Sequence, residues 1–139
     1  MTEAIVLDSS AMLALVRNEP GGSVVAQAIA EERNELYVSS VNLCEVASKL
    51  AYGGGTGRQI MAGIEPFLSY AVDFDAEQAV YAAELSRWTK PLGLSLGDRA
   101  CLALAAKRGA TAWTTDTAWR KLSSNVLSYG SFKIHLLRG

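Results

Sequence analysis

The chain has 139 residues, about half of them hydrophobic and 19% charged, which is the composition of one soluble domain with a full core. Its 13 basic and 14 acidic residues give a net charge of −1, which argues weakly against a nucleic-acid binder that relies on bulk positive charge. The apolar run near the N-terminus has no basic flank and is too short for a signal peptide, and no stretch approaches the ~18 to 20 apolar residues of a membrane span. We therefore predict a single cytoplasmic domain over residues 1–139, outside the membrane.

The first half of the chain alternates short apolar runs with helical patterns. Ala4 to Leu7 contains Ile and Val and is typical of a strand buried on both faces. Ser9 or Ser10 then provides a cap for a helix that begins at Ala11 and ends before a Pro-Gly-Gly turn. The next predicted elements are a helix over 23–33, a strand over 35–40, a helix over 41–52 and a short helix over 59–68.

The second half continues the alternation. The predicted elements are a strand over 70–74, a helix over 76–89, an Ala- and Leu-rich helix from about 96 to 108, a strand over 110–115, a helical turn over 117–122 and a strand over 132–137. Strands that alternate with helices predict a parallel sheet covered on both faces.

Four acids lie near predicted strand ends or helix starts, where a parallel sheet would bring them to one edge. Asp8 and Asp116 directly follow strands, Glu45 lies in the helix after the second strand, and Asp98 opens the helix before the fourth. Sites in parallel sheets form outside the carboxyl ends of the strands. The acids meet there if strands one, two and four are neighbours, an order that spacing alone leaves open.

Four carboxylates at one edge repel one another unless a cation neutralises them. Oxygen ligands without nearby His or Cys suit Mg²⁺ or Mn²⁺. Such an ion activates water and stabilises charge on a transferring phosphate, which is the chemistry of a phosphodiesterase or a phosphatase.

Each acid also has an ordinary structural interpretation. Asp8 and Asp116 could cap helical turns, Glu45 could be a solvated helix residue, and Asp98, three residues after Ser95, fits a capping box. For any single acid the structural role is favoured, whereas the combination of four favours a site.

The remaining candidate ligands look structural. His135, the one histidine, lies in the last predicted strand, and we expect it to be away from the acids. Cys44 and Cys101 sit in apolar helical patterns without metal-type spacing, and we expect two buried thiols.

The four acids lie in motifs that resemble those of the PIN domain and, within it, the VapC-type toxins of bacterial toxin–antitoxin pairs. The motifs are Val6 to Ala11, Ser39 to Val46, Leu94 to Ala105 and Thr114 to Trp119. Each is moderately specific, but the four together, in the family's order over nearly the whole chain, are strongly so. The region from Gly53 to Tyr70 matches least, and we expect it to help set substrate choice.

The resemblance implies a three-layer α/β/α sandwich with a central parallel sheet of strand order 3-2-1-4-5. It implies a Mg²⁺- or Mn²⁺-dependent endoribonuclease that acts on RNA as a toxin, usually as a homodimer. A cognate antitoxin protein would silence it with a segment in the active-site groove. The implied catalytic, metal-binding residues are Asp8, Glu45, Asp98 and Asp116, with Ser9 and Thr115 as hydroxyls that orient carboxylates or water.

A homodimer is also favoured by apolar helix residues beyond those that one sheet can cover. These residues are Ile60, Ile64, Phe67, Leu68, Tyr81 and Trp88.

Two other functions remain open. A phosphatase of the haloacid dehalogenase type also ends its first strand with Asp, but it has a second Asp two residues later, where this chain has Ser10. It also needs a lysine between strands three and four, for which Lys90 is a poor candidate. The other alternative is a non-catalytic module that binds RNA or protein through the same groove.

Overall fold

The computed structural model describes residues 3–122 and 133–137, and within these the chain forms five strands and six α-helices. The strands are β1 Ala4–Leu7, β2 Glu35–Ser39, β3 Ala71–Val72, β4 Thr111–Thr114 and β5 Lys133–Leu136. The helices are α1 Ser9–Val16, α2 Gly22–Ala30, α3 Ser40–Tyr52, α4 Gly57–Ile64, α5 Ala76–Thr89 and α6 Leu96–Arg108. Short 3-10 helices cover Glu65–Tyr70, Lys90–Leu92 and Thr117–Lys121.

The sheet has the order β3-β2-β1-β4-β5, and every pairing is parallel. The central strand β1 places Ile5 beside Leu36 of β2 and Val6 beside Ala112 of β4. The predicted strand order 3-2-1-4-5 and the α/β/α fold are therefore confirmed. Because all strands run the same way, the ends of β1, β2 and β4 lie at one edge of the sheet, which was the condition for a shared site.

Helices cover both faces, and the alternation of β1 side chains divides the core in two. Ile5 and Leu7 belong to a cluster on one side, while Val6 belongs to a cluster on the other. The first cluster includes Met12, Val25, Val46 and Phe67, and the second includes Leu85, Leu102, Leu104 and Trp119. Within the described residues, no helix is long and apolar enough to cross a membrane.

Two local predictions were wrong, and a third concerns a residue outside the described part of the chain. Asp8, rather than Ser9 or Ser10, is the N-cap of α1, so the helix begins two residues earlier than predicted. Strand β3 has only two residues, because the chain up to Tyr70 is taken by a 3-10 helix. Residue Phe132, the predicted start of the last strand, lies outside the described residues.

Burial also differs from the prediction in the expected apolar patch and at one cysteine. Of the patch residues, Ile64 and Tyr81 are partly buried against the core. Phe67 is completely buried in the core, so it belongs to no surface patch. Cys101 is buried, but Cys44 is exposed. The reason is helical periodicity, since α3 turns Asn42 and Val46 inward and the residue halfway between them points away.

Candidate functional site

Asp8 is held at the junction between β1 and α1. Its backbone N–H extends the sheet ladder to the carbonyl of Trp113, and its carboxylate caps α1 by accepting the N–H of Ala11 at 2.8 Å. The hydroxyl of Ser10 donates to the same Oδ1 at 2.7 Å. The side chain is only 2% exposed.

Burial raises the pKa of Asp8 to about 6, and the charge of Asp98 adds to this rise. The hydroxyls of Ser10 and Thr114 and the N–H of Ala11 act in the opposite direction. The pKa of Asp8 therefore rises mainly because its charged form is removed from water, and to a smaller extent because Asp98 lies nearby.

Two hydroxyls join the end of β1 to the end of β4. The Oγ of Ser10 lies 3.2 Å from the Oγ1 of Thr114 and accepts the backbone N–H of Thr115 at 2.9 Å. Thr114 Oγ1 in turn accepts the N–H of Asp116 at 3.0 Å. The sequence analysis did not predict a role for Ser10 or Thr114 beside Asp8, because only the pairing of β1 with β4 brings the two hydroxyls together. The roles assigned to Ser9 and Thr115 stay predictions.

Asp98 forms the capping box that its spacing indicates. Its Oδ2 accepts the N–H of Ser95 at 2.9 Å, and its own N–H donates to Ser95 Oγ at 3.2 Å. Burial is the main cause that raises the pKa of Asp98, and the charges of Asp116 and Glu45 raise it further. The predicted capping role of Asp98 is therefore confirmed. The same residue also lies within electrostatic reach of Asp116 and Glu45.

Glu45 lies in the second turn of α3 and faces the start of α6. Its Oε1 accepts a hydrogen bond from Asn42 Nδ2 at 3.0 Å. Its carboxylate rests on Gly97, where an added Cβ would overlap both carboxylate oxygens. A larger residue at position 97 would therefore force the Glu45 carboxylate to move.

Asp116 follows β4 as the N-cap of the last 3-10 helix, where its Oδ1 accepts the N–H of Ala118 at 2.9 Å. The residue is exposed. Its position confirms the predicted cap, and the pKa of Asp98 shows that its charge reaches the other acids.

The structure thus places the four predicted acids in one electrostatically coupled region with Asp98 at its centre. The pKa of the buried Cys101 thiol gives the same picture, since burial and the charges of Asp8, Asp98 and Glu45 raise it well above its usual value. Within residues 3–122 and 133–137, however, no three His, Cys, Asp or Glu side chains already form a cluster close enough to hold a metal ion. The acids are neighbours, each still turned toward its own cap or partner.

His135 lies on β5, paired in register with Trp113, and the two rings are 5.2 Å apart at 54°. The side chain of His135 packs on the outer part of the sheet, and its structural role stays a prediction.

A groove of about 570 Å³ runs along α3 from Glu45. Tyr52 and Leu96, on its walls, are 90% and 53% exposed. The sequence analysis missed this groove because its walls come from two helices that are far apart in the chain. The outward apolar positions of α3, such as Val41 and Tyr52, are the signal that could have indicated it.

Comparisons with known proteins agree with this fold. The family model of the PIN domain matches residues 5–125. A comparison with curated protein sequences finds no match. Among solved structures, VapBC2 from Rickettsia felis bound to a promoter DNA fragment gives a TM-score of 0.71 at 18% identity over 96% of this chain and 98% of that one. DNA-bound VapBC from Salmonella typhimurium gives 0.69 at 17% identity over 99% of each chain. VapBC-5 from Mycobacterium tuberculosis, described as a member of a toxin–antitoxin family, gives 0.63 at 21% identity over 96% of this chain and 98% of that one. At these identities the solved structures show the shared fold, and the family match covers most of the sequence: the chain belongs to the PIN-domain family.

Proposed function

We propose that this protein is a Mg²⁺- or Mn²⁺-dependent endoribonuclease and the toxin of a toxin–antitoxin pair. The observation that carries the proposal is the coupling of four acids at the carboxyl edge of a parallel sheet. The groups that raise the pKa of Asp98 include two further carboxylates, Asp116 and Glu45. Cation binding at such a site is favourable, because the cation reduces the repulsion among the carboxylates and stabilises the charge of the buried ones.

The hydrogen bonds of the four acids are compatible with metal binding. Each carboxylate is oriented by a hydrogen bond to one oxygen: Oδ1 of Asp8, Oε1 of Glu45, Oδ2 of Asp98 and Oδ1 of Asp116. A carboxylate has two oxygens with several lone pairs, so a hydrogen bond that fixes its orientation is compatible with a cation at the same group. Capping and ligation are therefore two uses of the same side chain, and an all-oxygen donor set suits Mg²⁺ or Mn²⁺.

A bound Mg²⁺ or Mn²⁺ would supply an activated water and charge stabilisation for cleavage of a phosphodiester. The chain's own contribution is a preorganised anionic site. Ser10 and Thr114 tie Asp8 to the end of β4, and the Ser95 cap holds Asp98 at the start of α6. The raised pKa of Cys101 keeps its thiol protonated, so it does not compete as a ligand.

The toxin assignment is supported by the solved structures of similar fold, several of which are VapBC complexes or described as toxin–antitoxin complexes. RNA as the substrate and the cytoplasm as the location follow from the same resemblance and are parts of the proposal.

The experiment is RNA cleavage by the purified protein in Mg²⁺ or Mn²⁺, with excess chelator as control. We expect cleavage only with the metal. Undiminished cleavage in chelator contradicts the proposal, while turnover of a small phosphomonoester without RNA cleavage favours the phosphatase. Metal-independent RNA binding without cleavage favours the non-catalytic module.

The proposed antitoxin would meet an anionic surface next to the apolar groove. A cationic side chain is the complement of such a site. We expect the antitoxin to place an Arg or Lys beside Asp8, Glu45, Asp98 or Asp116. A structure of the complex with no basic side chain at these acids would refute this.

We also propose a homodimer. Exposed apolar side chains lie on α4, α5 and the 3-10 helix between α4 and β3: Met61 is 53%, Leu68 43%, Val80 60% and Trp88 37% exposed. Exposed apolar surface of this kind marks interfaces, and C₂ dimers are the commonest assemblies. A monomeric mass in light scattering at micromolar concentration would contradict the proposal.

A further inference from the structure

Asn42 is a buried amide in α3, one turn before Glu45, and only 1% of it is exposed. Its Nδ2 donates two hydrogen bonds of 3.0 Å, one to Glu45 Oε1 and one to the backbone carbonyl of Gly97. The two hydrogens of one NH₂ group therefore join two acceptors that belong to different helices.

The chemistry of the two acceptors fixes the orientation of this amide. A carboxylate and a carbonyl only accept, so the NH₂ group must face them. The Oδ1 atom is then left buried without a hydrogen-bond partner among the described residues. An unpaired buried acceptor is unfavourable, so the two hydrogen bonds of the NH₂ group must offset this cost and keep the amide in place.

The second acceptor, Gly97, is also the residue on which the Glu45 carboxylate rests. It immediately precedes Asp98 in the first turn of α6. Asn42 thus holds Glu45 and the backbone next to Asp98 in one fixed arrangement, and it does so across the contact between α3 and α6.

We propose that Asn42 is a positioning residue that sets the orientation of the Glu45 carboxylate relative to Asp98 for cation binding. The inference rests on the proposed function. Residues that orient metal ligands commonly change metal affinity 10- to 100-fold when they are replaced.

Gln78, in α5, provides a matched control. It is 2% exposed in α5, it donates through Nε2 to the carbonyl of Asp73 at 3.0 Å, and its Oε1 is also buried without a partner in the described part of the chain. In the described part of the chain, its side chain forms no hydrogen bond with Asp8, Glu45, Asp98 or Asp116. Asn42 and Gln78 are therefore both buried amides within helices. They differ in their acceptors, since Asn42 bonds the Glu45 carboxylate and Gln78 bonds a backbone carbonyl.

The test compares wild type with Asn42→Leu, Asn42→Ala and Gln78→Leu. Leucine keeps the branched shape of asparagine, with bulkier methyl groups, and cannot donate, while alanine gives a smaller variant that creates no overlap. Each protein is melted without metal, titrated with Mn²⁺ while free Mn²⁺ is followed by electron paramagnetic resonance, and assayed for RNA cleavage at saturating Mn²⁺. We expect the Asn42 variants to bind Mn²⁺ 10- to 100-fold more weakly, as for other residues that orient ligands, and Gln78→Leu to bind as wild type does.

Wild-type Mn²⁺ affinity and cleavage in a folded Asn42 variant would overturn the inference and leave the proposed function intact. An equal loss of Mn²⁺ affinity in Gln78→Leu would also overturn it, because the effect would then be general destabilisation. A wild-type protein that neither binds Mn²⁺ nor cleaves RNA would refute the proposed function itself.

Discussion

At the beginnings of α5 and α6, an aspartate accepts a backbone N–H of the helix start, but the surroundings of the two aspartates are opposite. Asp75 caps α5 by accepting the N–H of Gln78 at 2.9 Å, and Asp98 takes part in the capping box of α6. Lys107 lies 2.7 Å from Asp75 and, as the main cause, lowers its pKa, whereas burial and other acids raise the pKa of Asp98. A capping hydrogen bond therefore does not distinguish the two aspartates, whereas their burial and the sign of the neighbouring charges do.

The largest expected effect separates these two aspartates. Asp98→Asn keeps an oxygen that can accept the N–H of Ser95, but it removes a charged ligand, so RNA cleavage should be lost. Loss of a like charge opposes loss of the helix-end interaction, which is worth ~0.3 to 1 kcal/mol, so the melting temperature without metal should fall by no more than a few degrees. Asp75→Asn should leave cleavage unchanged.

The measurement is a pair of thermal melts with and without Mn²⁺, beside the cleavage assay. The stabilisation that Mn²⁺ gives should shrink in Asp98→Asn, because it depends on metal concentration relative to the dissociation constant. Full activity in this variant would reduce Asp98 to a capping residue and weaken the argument for all four acids.

The fold was predictable because its signals are local. The apolar run of β1, the caps at Asp75 and Ser95, and the regular alternation of strands with helices lie within short stretches of sequence. Strand order came from the family motifs rather than from spacing. The errors occurred at boundaries such as Asp8, where one side chain both ends a strand and begins a helix.

The site was predictable only in part. The acids stand out because charge at a strand end is conspicuous. Their partners Ser10, Thr114 and Asn42 make contacts across 104, 105 or 55 positions in sequence, and such contacts exist only after the elements pair. The same limit applies to Gly97, whose role is visible only once the Glu45 carboxylate lies against it.

A second prediction tests the contact between Gly97 and the Glu45 carboxylate. Gly97 and Gly57 both lie in the first turn of a helix, and an added Cβ meets nothing within 4 Å at Gly57 but overlaps the Glu45 carboxylate at Gly97. Gly97→Ala should therefore displace Glu45 and weaken Mn²⁺ binding about 10- to 100-fold, as other changes in ligand orientation do. Gly57→Ala should leave binding unchanged and raise stability slightly, by at most ~0.5 to 1 kcal/mol. Equal Mn²⁺ affinities in the two variants would show that the position of Glu45 is unimportant.

A smaller effect is expected in the pH dependence of stability. The folded protein holds a proton on Asp8 more tightly than the unfolded chain does, since the pKa rises from 3.8 to about 6. Without metal, the contribution of Asp8 to stability is therefore greatest at low pH and is lost as the pH rises from about 4 to about 6. Between pH 5 and pH 7 the loss should be roughly 1 kcal/mol.

Thermal melts in chelator at these two pH values measure this change. Asp8→Asn, whose amide oxygen can still accept the N–H of Ala11, serves as the control and should show a weaker dependence on pH. Excess Mn²⁺ should reverse the trend in wild type, because ligation requires the deprotonated carboxylate. An identical pH dependence in wild type and Asp8→Asn would mean that Asp8 is not the group responsible.

The smallest effect is expected for a substitution of Lys107, the cation beside Asp75. Lys107→Met removes the base that lies 2.7 Å from Asp75 and 4.0 Å from Glu77, but Asp75 still accepts the N–H of Gln78. These side chains are largely in contact with solvent, where ion pairs contribute little and salt screens them. We expect a slight fall in melting temperature at low ionic strength that disappears at high salt, with Mn²⁺ affinity and RNA cleavage equal to wild type. A loss of Mn²⁺ affinity would show that charge at the far end of α6 reaches Asp98, and the contrast between the two aspartates would then be one of degree.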